Sequence, residues 1–195
     1  MVRLMDDAVV RAMARWPNVP HVYGWLSLDR RGQWRLQGGT IGNVQLRDFI
    51  SRNYFAVGDG SYAFQNGPQR VFVALEYAPW VTGLDGASVM RFHTGVPVTQ
   101  MSAAWMDELG NLLLMTEQGL ALLDDRDLDA FTDHMCDAAG KRLDEDQQAA
   151  AVEALLEGTD PGATIQFAQS RIPLAPIRAG EVAARFGLVR EPKEP

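Results

Sequence analysis

The sequence predicts an α+β fold: a mostly antiparallel sheet of short hairpins, with packed helices and an acidic helical hairpin in the C-terminal half. Three observations carry this. Short β-branched and aromatic runs, broken by Gly and Asn-Gly turn residues, fill much of residues 20–123. Apolar residues recur at helical spacing near the N-terminus, around residue 50 and again beyond residue 124. The charge is also divided: residues 1–100 carry ten arginines and seven acids, residues 101–195 eight bases and eighteen acids.

Met5, Ala8, Ala12, Met13 and Trp16 share one helical face, and Pro17 ends that amphipathic helix, which should lie on the sheet. Residues 22–29 and 33–37 form a hairpin about Arg30-Arg31-Gly32. After a glycine loop at 38–43, Asn43 is placed to cap a helix running to about Phe55, whose apolar stripe is Leu46, Phe49, Ile50 and Tyr54. Residues 61–65 and 69–77 flank Asn66-Gly67, a strong hairpin dipeptide. Pro68, lacking an N–H, favours a wider loop or an edge position there over a two-residue turn.

Pro79 and its neighbouring glycines make residues 78–86 read as irregular. Short strands follow at 89–93, 96–101, 103–107, 112–117 and 120–123. Residues 104–111 echo 24–32: both are Trp-led strands that turn at an Asp and a Gly, although two copies fall short of a repeat architecture. Leu128, Phe131, Met135 and Ala139 then mark a helix that would contain Cys136. Asp144 to Gln147 spells a capping box for a second helix carrying Ala151, Val152, Leu155 and Leu156. Residues 164–168 and 171–177 read as extended, the latter kept to an edge by Pro173 and Pro176, and a short helix near 181–186 closes at Gly187. The expected organisation is one domain over 1–189, with a sub-boundary near 78–88 and a flexible tail at 190–195.

At 47% hydrophobic residues the chain has the material for a core. Its net charge of −7 argues against a nucleic-acid binder, which needs clustered cations. Cys136 is the single cysteine, so no intrachain disulfide forms. Two acids sit where a signal peptide needs an apolar core, and no apolar run is long enough to span a bilayer, so the expectation is a cytoplasmic protein without membrane contact.

Asp125-Arg126-Asp127-Leu128-Asp129 opens like a calcium loop, but Ala130 stands where a Gly is needed and Cys136 where a bidentate Glu belongs. His21, His93 and His134 are scattered, so no metal site and no cofactor is expected. The strongest lead is an aromatic and arginine set: Trp25, Trp34 and Arg35 on the first hairpin, Asn66, Gln69 and Arg70 around the second turn, and Trp80 shortly after. Rings beside guanidinium groups suit planar or anionic ligands, whereas tryptophans on a sheet also serve as core. The function expected is non-catalytic binding, centred on Arg70, of a small anionic ligand or an acidic protein surface, including that of a second copy in a homodimer. The alternative is a metal-assisted hydrolase using carboxylates among Asp124, Asp125, Asp127 and Asp129.

Val22-Tyr23-Gly24-Trp25-Leu26, Phe49-Ile50-Ser51-Arg52-Asn53-Tyr54-Phe55, the run from Phe64 to Val71 and Leu75-Glu76-Tyr77-Ala78-Pro79-Trp80 together resemble an uncharacterised family of proteobacterial proteins of unknown function. The resemblance spans roughly the first hundred residues. It implies a bacterial, cytoplasmic origin and adds no chemistry.

Overall fold

The computed structural model describes residues 6–16, 19–85 and 89–194. The chain separates into two units, residues 1–79 with 187–195 and residues 80–186, each with its own sheet and core. The fold is α+β, and both sheets are mixed rather than purely antiparallel.

The first unit runs α1 (Asp7–Arg15), β1 (Val22–Leu28), β2 (Trp34–Leu36), β3 (Gly39–Thr40), α2 (Val44–Arg52), β4 (Tyr54–Ala56), β5 (Tyr62–Asn66) and β6 (Gln69–Leu75). Met5 and Pro17, read as the limits of the first helix, lie outside the described residues, as do Gly86 and Pro195. The strand order is β3-β2-β1-β6-β5-β4, with β1 and β6 parallel at the centre. Leu26 pairs with Val73 and Leu28 with Leu75 across that seam, and all four are buried in one row. Trp34, Tyr54 and Phe64 continue the row on the flanking strands, and Ile50 comes down on it from α2. Asn43 caps α2 by accepting the Leu46 N–H (3.0 Å). The helix stops at Arg52, three residues short of the expected Phe55, because Tyr54 is drawn into β4 opposite Phe64.

The second hairpin is tighter than expected. Asn66 pairs with Gln69, so Gly67 and Pro68 are the two central turn residues, and β6 is an interior strand, not an edge. Gly67 takes the positive φ (57°) that the first central position of a II′ turn needs. Pro68 supplies the negative φ at the second, where its missing N–H costs no ladder bond. The chain returns to this unit after Gly187: Val189 N–H donates to the Gly60 carbonyl and Leu75 N–H to the Arg190 carbonyl, both at 2.8 Å. Arg190, expected to open a free tail, is thus tied down.

The second unit runs β7 (Trp80–Leu84), β8 (Met90–Phe92), β9 (Met101–Asp107), β10 (Leu112–Thr116), β11 (Gly119–Leu123), α3 (Leu128–Thr132), β12 (Met135–Cys136), α4 (Glu145–Glu157), β13 (Thr164–Phe167), β14 (Ser170–Ile177) and α5 (Val182–Arg185). Two acidic helices are present, but α3 ends at Thr132 and Cys136 lies in a strand, not in a helix. Residues 78–86, read as irregular, contain β7, which runs parallel to β11. β14 is an interior strand despite its prolines. Pro173 lies one residue before pairing with β9 begins at Leu174, and Pro176 lies past the last contact with β13, so neither missing N–H faces a partner strand. Asp144 and Gln147 complete the expected capping box on α4, which packs on β9 and β14.

The two units repeat one frame. The order β3-β2-β1-β6-β5-β4 returns as β11-β10-β9-β14-β13-β12, again with a parallel central pair, and β7–β8 are added at the β11 edge. Turn chemistry repeats with it. Asp29 and Asp107, both buried, each accept two turn N–H groups on Oδ1, from Arg31 and Gln33 and from Leu109 and Asn111. Gln65 and Gln166 each donate Nε2 to the carbonyl two residues on, at Gly67 and Ala168. Gln65 pairs with Arg70 as Gln166 does with Arg171. Their N–H groups go to the Asn53 and His134 carbonyls, which makes Asn53 and His134 equivalent positions.

Candidate functional site

The structure disperses the predicted aromatic and arginine set. Trp34 is 2% exposed, meets Tyr54 edge-on at 5.0 Å and donates its indole N–H to Ser51 Oγ (3.0 Å). Trp80 is 5% exposed, sits against Phe92 and belongs to the second unit. These two indoles are core, which corrects the expectation that they meet a ligand: strand alternation shows which residues share a row, not which row is covered. Trp25 is 55% exposed on β1, just past the positive-φ Gly24. Arg35 is paired with Asp29 at 3.1 Å, and Arg30 and Arg52 also face carboxylates, of Glu76 and Asp6.

Asn66, Gln69 and Arg70 stay together on the β5–β6 hairpin. Gln69 Nε2 donates to the Pro20 carbonyl (3.3 Å). The half-buried Arg70 guanidinium lies over the Phe55 ring, 5.4 Å from its centroid. Its Nε is shielded from water and has no hydrogen-bond partner, and neither has Oε1 of Gln65, its cross-strand neighbour. Asp59 lies close enough to feel Arg70. Its carboxyl is held below the usual range first by the Ser61 hydroxyl and N–H, with Arg70 a lesser influence. Among the described residues Arg70 forms no ion pair, unlike Arg30, Arg35 and Arg52.

Of the predicted acids near 124–129, Asp124, Asp125 and Asp127 gather about Arg126. Asp124 is buried and turns both oxygens to Arg126, whose hydrogen bonds hold its carboxyl below the ordinary value. Asp127 Oδ2 accepts the Leu84 N–H (2.9 Å), while Asp125 and Asp129 are exposed. Among the described residues no three His, Cys, Asp or Glu side chains are grouped to hold a metal ion. Cys136 is buried, with Sγ 3.7 Å from the His134 carbonyl.

Sequence reasoning missed a cavity of about 180 Å³ in the second unit. Its walls are Leu84 and Met90 from the β7–β8 hairpin, Phe131 and His134 at the end of α3, and Phe167 and Ala168 at the β13–β14 turn. Leu84 comes from β7, which Pro79 and Gly83 hide from a strand pattern. Phe131 carries a sequence signal as part of an apolar stripe, and Asp127 and His134 stand out individually, but nothing local brings them together.

Frame and cavities together define an α+β protein made of two copies of one mixed-sheet unit. The family model DUF2944, described as "Protein of unknown function (DUF2946)", matches residues 5–193, and the chain belongs to that family. A DUF1285 family protein from Silicibacter pomeroyi DSS-3 has a similar structure, with 16% identity, 82% of this chain and 85% of that chain covered, and a TM-score of 0.52. A second DUF1285 family protein, from Shewanella baltica OS155, matches at 14% identity over 52% of this chain and 85% of its own, with a TM-score of 0.40. The first likeness shows a shared fold. No curated protein matches the chain, and no helix among the described residues is long and apolar enough to cross a membrane.

Proposed function

We propose that the chain is a non-catalytic binding protein whose β5–β6 hairpin receives an anionic group at Arg70, from a small ligand or from an acidic protein surface. The observation that supports this is the half-buried Arg70 guanidinium, seated over Phe55 and, among the described residues, without an ion pair. A carboxylate or phosphate bound at the outer guanidinium nitrogens would gain a charge-assisted hydrogen bond, worth about 1.5–3 kcal/mol. Phe55 holds the guanidinium plane in place, so little side-chain freedom is lost on binding. Carboxylates from the acid-rich half of a second copy are one such surface.

The test is titration of the wild type and Arg70→Ala with citrate, inorganic phosphate and an oligo-glutamate peptide, followed by calorimetry. At least one probe should bind the wild type, with affinity falling about tenfold or more in the variant, as expected for loss of a charged hydrogen bond. The variant should keep its melting temperature. Equal affinity in the two proteins, or binding of none of the probes, removes the assignment.

A further inference from the structure

Helix α1 fills a seat in the first unit that no helix among the described residues of the second unit fills. At its start the Asp6 N–H donates to Asn53 Oδ1 (3.0 Å), Asn53 Nδ2 donates back to Asp6 Oδ2 (3.3 Å), and Arg52 Nε lies 3.4 Å from Asp6 Oδ1. Along the helix Val9 is 3% exposed, and Ala12 reaches the β5–β6 turn, where a Cβ on Gly67 would lie 3.8 Å from its own. In the repeated frame the equivalents of Asn53 and Gly67 are His134 and Ala168, and both line the 180 Å³ cavity. The chain ahead of β1 supplies α1. Ahead of β9, residues 93–100 contain no helix.

We propose that this cavity docks an amphipathic helix of a partner protein, one that carries a basic residue where α1 carries Asp6. The walls from Met90, Phe131 and Phe167 take one or two large apolar side chains, the role Val9 has in the first unit. Charge selects the partner. Arg52 and Asn53 receive an acid in the first unit, whereas the corresponding positions here are Asp133 and His134, with Asp127 on the cavity wall. Arg142 approaches Asp133 only to 3.9 Å, with both side chains about two-thirds exposed, a contact weak enough to be exchanged. The inverted charge disfavours α1 of a second copy, whose Asp6 and Asp7 would face Asp133. This site is separate from Arg70 and does not depend on it.

Two labelled peptides test the proposal against the full chain by fluorescence anisotropy at pH 7.5: residues 6–16 as they stand, and the same segment with Asp6→Lys and Asp7→Lys. The lysine peptide should bind about tenfold or more tighter than its parent, a difference of about 1.4 kcal/mol or more. Ala130→Trp, at an exposed α3 position on the cavity rim, should fill the cavity and abolish binding. Asp133→Lys, at a side chain about two-thirds exposed, should reverse the order of the two peptides even if the tryptophan variant fails to fold. No binding of the lysine peptide at roughly 1 mM, equal affinity for both peptides, or unchanged binding to a folded Ala130→Trp overturns it.

Discussion

Gly60 has no room for a side chain. A Cβ there would lie 2.0 Å from the Gly187 carbonyl oxygen, and its φ of 88° is one that other residues rarely adopt. Both obstacles are backbone, so neither can swing away. Gly60→Ala is expected to destabilise the protein by about 2–4 kcal/mol, seen as a fall in melting temperature of roughly 5–15 °C. A fall of less than about 2 °C would mean that the 187–190 segment is not held against this loop. Nothing in Gly58-Asp59-Gly60 marks one glycine as different, because the atom that forbids a side chain comes from far along the chain. The same limit applies to Trp34 and Trp80: their burial depends on which sheet face receives the helices, and no local pattern encodes that. Arg70, by contrast, was legible as a turn-flanking arginine next to aromatics, although its ring partner Phe55 was read as helix.

At the scale of elements, local chemistry was readable wherever it was self-contained. The Asn43 cap, the Asp144 and Gln147 box, and the Gly32 turn all occur as expected. Asp144→Ala should cost about 1 kcal/mol, since it strips the first turn of α4 of its side-chain acceptor. Chemical denaturation would show this as a lower midpoint with an unchanged slope. A neutral result would mean that burial of Ala151 and Leu155 alone holds the helix. Elements were misread where two periods coincide. Leu128, Phe131 and Met135 fit a helical stripe, yet Met135 and Cys136 pair with Ile165 and Thr164 as a strand. Prolines misled in the same way at β6 and β14, because what matters is whether a particular N–H faces a neighbour, and that is set by register.

For the molecule as a whole, the governing fact is duplication, visible in the sequence only as the Asp-and-Gly turns near 29 and 107. The copies share register and turn chemistry but few side chains, and they differ in what was added: α1 in one, β7–β8 and α4 in the other. The first unit is also discontinuous, taking residues 187–195 across the span of the second. A chain ending at residue 186 should therefore lose protection from hydrogen exchange at Leu75, whose N–H is bonded to the Arg190 carbonyl, while the amides of β9 and β10 keep theirs. Equal protection in the two chains would count against any structural role for the returning segment.

That discontinuity also sets an order of events during synthesis. The second unit is made of consecutive residues and can close as soon as β14 leaves the ribosome. The first must wait with its Gly60 carbonyl and Leu75 amide unsatisfied until more than a hundred further residues have been translated. The half encoded first is the half completed last.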